Sequence, residues 1–183
     1  MQRFTKLCRQ LIKTIMGYLK GNVAFLIMVF LILFIFEVDH VVSGSMEPTL
    51  MTGDYAIFTK VRFGYKPNRG DIIGFNHDGE HWVKRVIGIP GDMIVIKDMY
   101  VYVNGEKIDE PYLENVGITY GGDNTIFAVP EDEIFVLGDN RLASYDSRYW
   151  NEPYVPVSYV TSKYRFTIYH AKTKATTFEE EIL

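Results

Sequence analysis

The chain has 183 residues, enough for one domain and a short appendage. Its net charge of −4 hides a division: five of its 19 basic residues, Arg3, Lys6, Arg9, Lys13 and Lys20, precede the first Asp or Glu. The other 14 stand against all 23 acidic residues, and so acidic a body lacks the basic face that nucleic-acid binding needs. The one cysteine, Cys8, excludes an intrachain disulfide.

Residues 1–20 read as a basic segment. Val23 to Phe36 then runs VAFLIMVFLILFIF without a polar residue and stops at Glu37. With Gly21, Asn22 and Val38 it reaches about the minimum length of a bilayer-crossing helix, so a transmembrane helix is predicted over 21–38. The preceding LIKTIMGYL is apolar enough to extend it, with Lys13 and Lys20 snorkelling to the surface. A signal peptide shares the basic-then-apolar order. The apolar stretch is long for one, and the nearest small-residue cleavage site is Val42-Ser43-Gly44. A buried core helix would show a polar face, and this run has none. The basic flank keeps the N-terminus in the cytoplasm and places everything after Val38 outside. No second long apolar run follows, which predicts a single-pass protein of the cell membrane.

From Asp39 the pattern is all-β. Runs rich in Val, Ile, Tyr and Phe alternate with turn residues at 55–61, 71–76, 81–89, 93–98, 99–104, 124–129, 133–138 and 159–170. Asn104-Gly105 marks a hairpin, and Gly-Asp pairs at 53–54, 70–71 and 91–92 mark strand boundaries. The stretch ASYDSRYW holds a single helical turn at most. The prediction is a mostly β protein: an antiparallel β-sandwich or partly closed barrel over 39–170, then a polar tail over 171–183.

Three stretches carry the chemistry: Ser43-Gly44-Ser45-Met46-Glu47-Pro48-Thr49-Leu50, Lys84-Arg85-Val86-Ile87-Gly88-Ile89-Pro90-Gly91-Asp92, and Gly138-Asp139-Asn140-Arg141 with Ser144 and Asp146-Ser147-Arg148. At these residues the chain resembles the bacterial type I signal peptidases, with the three boxes in that family's order. The resemblance implies a membrane-bound serine endopeptidase with Ser45 as nucleophile and Lys84 as general base. Its implied substrates are the signal peptides of exported preproteins at the membrane surface, cut after small residues of the Ala-x-Ala type, with no cofactor and no metal. It further implies that the Ser43 hydroxyl and the Ser45 N–H form an oxyanion hole. Ser144 would orient the lysine, Asp146 and Arg148 would form a structural ion pair, and Arg85 would pair with Asp139. The family box often continues with Gly after the aromatic pair; this chain has Asn151, which tolerates left-handed backbone angles.

Read from the residues alone, a serine hydroxyl needs an adjacent base. A lysine serves only if burial lowers its pKa. Strand alternation over 81–89 puts Trp82, Lys84 and Val86 on one face and Arg85 on the other. The alternative is a surface lysine on a half-wet sheet. Met46 and Leu50 either line the substrate pocket or dip into the lipid bilayer. A Ser-His-Asp triad using Ser45 with His77 or His81 is the competing site, although both histidines read as exposed residues of a hairpin around Asp78-Gly79-Glu80. The rival function is a signal-peptidase-like assembly factor, for example for surface pili, that works with pilus or secretion components. Such a protein should lack the nucleophile or the base, and both Ser45 and Lys84 are present. An active peptidase dedicated to a few substrates fits the same residues as a housekeeping enzyme.

Overall fold

The fold is that of a computed structural model, which describes residues 2–61, 64–113, 118–121 and 125–171, with the backbone alone for 2–8. The chain divides into two compact units, Met1–Glu37 and Val38–Leu183. The first is one helix, α1, Gln2–Ile35. Its stretch Arg9–Ile35 is long and apolar enough to cross a membrane, and none of its side chains is buried.

The helix differs from the predicted 21–38 at both ends. It begins near the N-terminus because the five basic residues recur at helical spacing with apolar residues between them, so the segment over 2–20 is an amphipathic extension of the helix. It ends at Ile35 because Phe36–His40 forms a strand, β1, with alternating exposure. Phe36, Glu37 and Val38 therefore belong to a sheet.

The second unit holds two sheets. The larger draws on β2 (Tyr55–Lys60), β3 (Ile72–His77), β4 (Glu80–Gly88), β9 (Glu133–Leu137), β10 (Val155–Pro156) and β11 (Val160–Tyr169), in the order β1-β2-β11-β3-β4-β9-β10. The smaller is built from β5 (Met93–Lys97), β6 (Tyr100–Val103), β7 (Glu106–Lys107) and β8 (Ile126–Ala128), in the order β7-β6-β5-β8. From β2 onward the pairs are antiparallel, and among the described residues the strands do not close into a barrel. The tail expected over 171–183 lies, after Ala171, outside the described residues.

The strands β4 and β9 are covered on both faces, which explains the near-continuous apolar run of β9 and the burial of β4 from Lys84 to Gly88. On one face Ile87, Phe135 and Leu137 pack against Ile94, Val101 and Phe127 of the smaller sheet. On the other, Val86, Ile134 and Val136 pack with Ile73, Phe75 and Trp150. Gly88 permits the first contact: a Cβ there would lie 2.8 Å from Val129 and 3.0 Å from Ile94.

Phe135 is fully buried, with its ring 4.6 Å from that of Phe127. Phe135→Ala should cost about 3–5 kcal/mol, as a large truncation in a packed core does. Ile126→Ala, on the exposed side of β8, should change stability by less than about 0.5 kcal/mol. Urea unfolding in detergent, followed through Trp82 and Trp150 fluorescence, compares the two.

Candidate active site

Lys84 stands on β4 opposite Ile73 of β3, so both side chains share the face of the second core cluster. Val86 and Trp150 fill the apolar surroundings, and the Trp82 ring lies 5.1 Å from the ammonium nitrogen. Lys84 is 2% exposed, which sets aside the surface-lysine alternative. Its Nζ donates to Ser45 Oγ at 2.8 Å and to the Val83 carbonyl at 3.1 Å. Burial pulls its pKa from 10.5 down to about 8, against the opposing charges of Asp146 and Asp139.

Ser45 sits in a one-turn 3-10 helix, Gly44–Met46. It is half-buried, and the exposed Ser43 places its Oγ 3.4 Å from Ser45 Oγ. Met46 and Leu50, both 1% exposed, pack with Ala56, Phe58 and Ile72. Such burial leaves them no bilayer contact. Instead they line a cavity of about 270 Å³ together with Val41, Val83, Ser43 and Ser45.

The segment after β9 supplies the remaining groups. Asp139 takes a two-pronged bond from Arg85, Nε to Oδ1 at 2.8 Å and Nη2 to Oδ2 at 2.6 Å, while Thr49 Oγ1 also donates to Oδ2. The Arg85 guanidinium stacks 3.8 Å over the Tyr112 ring. Asp146 and Arg148 form a second two-pronged pair, at 2.8 and 2.9 Å, and Asp146 also accepts the Gly138 N–H at 2.9 Å. Ser144 is buried beside Gly138, where a Cβ would collide with Ser144 Oγ and with the Ser45 carbonyl. The expected bond from Ser144 to Lys84 is not made: Ser144 Oγ is buried without a hydrogen-bond partner among the described residues. The short Ser144 side chain lies over Gly138, and the lysine amine is committed to Ser45 and Val83.

The histidines separate. His77 is half-buried, not exposed, because its ring stacks 4.1 Å from Trp150 at the end of β3. His81 is exposed and faces Asp39, with Nε2 3.5 Å from Oδ2. His81 and Asp39 line the same cavity as Ser45, with His40 beside them, and His77 does not. The three boxes leave Asp39 and His40 unassigned, since both precede the first box. Also unassigned was Glu110, which meets the buried Arg141 in an ion pair completed by Thr119 Oγ1 at 2.6 Å. Glu110 lies in no motif; the arginine of the Gly138-Asp139-Asn140-Arg141 run was the only sequence signal that a buried partner is needed. Among the described residues no three His, Cys, Asp or Glu side chains gather as metal ligands.

The model of the signal peptidase, peptidase S26, family matches residues 13–169. Signal peptidase I of Bacillus caldolyticus is 41% identical, with 80% of this chain and 86% of that one aligned. Signal peptidase I T of Bacillus subtilis strain 168 is 41% identical over 72% of this chain and 75% of its own. The crystal structure of a signal peptidase I from Enterococcus faecalis is 36% identical and covers 54% of this chain and 97% of that one, with a TM-score of 0.47. The class that the family model and the two Bacillus relatives define is a peptidase. More narrowly, the chain belongs to the signal peptidase family, peptidase S26, alongside bacterial type I enzymes.

Lys84 also ties stability to pH. Its folded pKa of about 8 lies below the ordinary 10.5, so between those values the unfolded chain holds the extra proton. Stability contributed by the neutral amine is complete above pH 10.5 and is lost as pH falls through 8. Lys84→Met removes the titration. Its stability gain over the parent should be largest near pH 7 and shrink steadily from pH 8 to 10.5, read by urea unfolding across that range.

Proposed function

We propose that the chain is a membrane-bound serine endopeptidase that releases signal peptides from exported preproteins through a Ser45–Lys84 dyad. The observation that carries this reading is the 2.8 Å contact between a half-buried serine hydroxyl and a lysine amine that is 2% exposed. An ordinary lysine is an acid at neutral pH; one held near 8 by desolvation has a substantial neutral fraction and a lone pair to accept a proton.

Ser45 Oγ attacks the scissile carbonyl carbon while Lys84 Nζ takes its proton. The resulting ammonium is offset by the nearby charges of Asp146 and Asp139. The Ser43 hydroxyl and the Ser45 N–H donate to the tetrahedral oxyanion. Collapse breaks the C–N bond, Lys84 returns its proton to the leaving amine, and an ester on Ser45 remains. Lys84 then deprotonates the water that hydrolyses that ester. The apolar cavity walled by Met46, Leu50, Val41, Val83 and Phe58 suits small side chains before the cut, as at an Ala-x-Ala site. The helix Arg9–Ile35 anchors the enzyme in the bilayer, with the basic N-terminus in the cytoplasm and the β unit outside.

Ser45→Ala should abolish cleavage of an Ala-x-Ala preprotein by the detergent-solubilised chain. Lys84→Arg should be as inactive as Lys84→Ala, because a guanidinium keeps its proton. Ser43→Ala should lose roughly one to three orders of magnitude, as for one oxyanion donor. The rate should rise with pH along a limb near 8, where Lys84 becomes neutral, and that limb should survive His77→Ala and His81→Ala. A dead His81→Ala beside an active Lys84→Arg would replace the dyad with a histidine base.

Topology is checked separately. Protease added to intact spheroplasts should digest the unit after Val38 and spare the N-terminal arm. Protection of the β unit would reverse the orientation.

A further inference from the structure

Asn140 carries no role in the dyad, yet it touches the serine turn twice. Its backbone N–H donates to the Ser45 carbonyl at 3.1 Å, and its side-chain Nδ2 donates to the Gly44 carbonyl at 3.0 Å. The amide orientation is fixed from the other end, because Asn140 Oδ1 accepts the Ala143 N–H at 3.3 Å. One residue thus holds the peptide planes on both sides of Ser45.

The Gly44 contact has a chemical consequence. A trans peptide is planar, and its C=O and N–H point in opposite directions. The Gly44 carbonyl and the Ser45 N–H belong to one such plane. Whatever holds the carbonyl oxygen therefore aims the N–H. The other donor on that oxygen is the Glu47 N–H, at 3.2 Å, from within the turn itself. Asn140 is the external anchor, 96 residues away in the chain, that ties the plane to the segment carrying Asp139 and Asp146.

We infer that Asn140 is a positioning residue for the reaction: through the Gly44 carbonyl it holds the Ser45 N–H on the oxyanion that forms during acyl transfer. This rests on the Ser45–Lys84 reading. A donor that is already aimed stabilises the transition state without reorganising, so its loss acts on the chemical step more than on substrate binding. Because the Glu47 N–H still holds Gly44 when the Asn140 amide is removed, the effect is smaller than deletion of an oxyanion donor.

Two variants of the full-length chain test this. Asn140→Ala removes the amide, and Asn140→Asp keeps its shape without the donor, so packing is preserved. Both leave the backbone bond to Ser45 in place. Each should lower kcat about ten- to a hundredfold on an Ala-x-Ala peptide, with KM within about twofold of the parent. The pH limb near 8 should stay where it is in Asn140→Ala, since the lysine is untouched. Affinity for a peptide aldehyde, whose adduct with Ser45 bears the oxyanion, should fall by the same factor as kcat. Affinity for the cleaved Ala-x-Ala product should hold. An unchanged kcat in both variants, a loss confined to KM, a shifted limb in Asn140→Ala, or equal weakening of aldehyde and product would each overturn the positioning role. Ser45→Ala is the control for the reading beneath it: full activity there overturns the dyad and this role together. An inactive Ser45→Ala beside fully active Asn140 variants overturns this role alone.

Discussion

The site depends on keeping one amine out of water without giving it a carboxylate of its own. A lysine buried beside an Asp or Glu would hold its proton, because an opposite charge at contact favours the ammonium. Here the buried carboxylates are already engaged: Asp139 by Arg85, Asp146 by Arg148 and Glu110 by Arg141. Lys84 donates instead to a hydroxyl and a backbone carbonyl. The charges of Asp139 and Asp146 still reach it, but they are outweighed by desolvation, and the amine settles near 8. The ion pairs thus act on Lys84 by keeping the two aspartates occupied. As buried pairs they are weak evidence for stability in themselves.

Strand geometry explains how two adjacent cations come to opposite fates. Lys84 and Arg85 project from opposite faces of β4. The face of Lys84 is closed by Trp82, Trp150 and Val86, which have nothing charged to offer. Arg85 is met by Asp139, Thr49 and the Gly70 carbonyl. The segment from Gly138 to Arg148 serves both faces, since it carries the Arg85 partner and also returns Ser144 and Asp146 beneath the serine turn. Gly138 lets that happen: the Ser45 carbonyl and the Ser144 side chain occupy the space a Cβ would fill.

Much of the β unit was legible because its strands are short, β-branched and bounded by turns. Each of the eight expected runs contains a strand, including β2, β4, β9 and β11. The chemistry was legible through motif order, and alternation alone put Lys84 between Trp82 and Val86. What the sequence hid depends on contacts distant along the chain. The amphipathic spacing of the basic residues carries the helix back to Gln2, beyond the apolar LIKTIMGYL stretch that suggested an extension. His77 is the hairpin residue that it reads as, but Trp150, far along the chain, covers the ring that the sequence leaves exposed. Glu110 lies in no motif, and Asn140 lies in the third box without a role to read there, because what distinguishes them is a partner 31 and 96 residues away.

The lowered pKa also sets a thermodynamic constraint. Moving Lys84 from 10.5 to about 8 means that near neutral pH the folded chain holds a charge it disfavours by about 3 kcal/mol. That is the size of one large core truncation and a sizeable part of a typical domain's net stability. The base is therefore sustainable only where apolar packing is dense. Strand β4 meets that condition: Val86 and Ile87, on its opposite faces, are each at most 1% exposed and belong to different core clusters. An edge strand such as β1, with every residue at least partly exposed, would let water reach an amine placed on it and return its pKa toward the ordinary value. The position of Lys84 in the doubly covered middle of the larger sheet follows from the same desolvation that makes it a base.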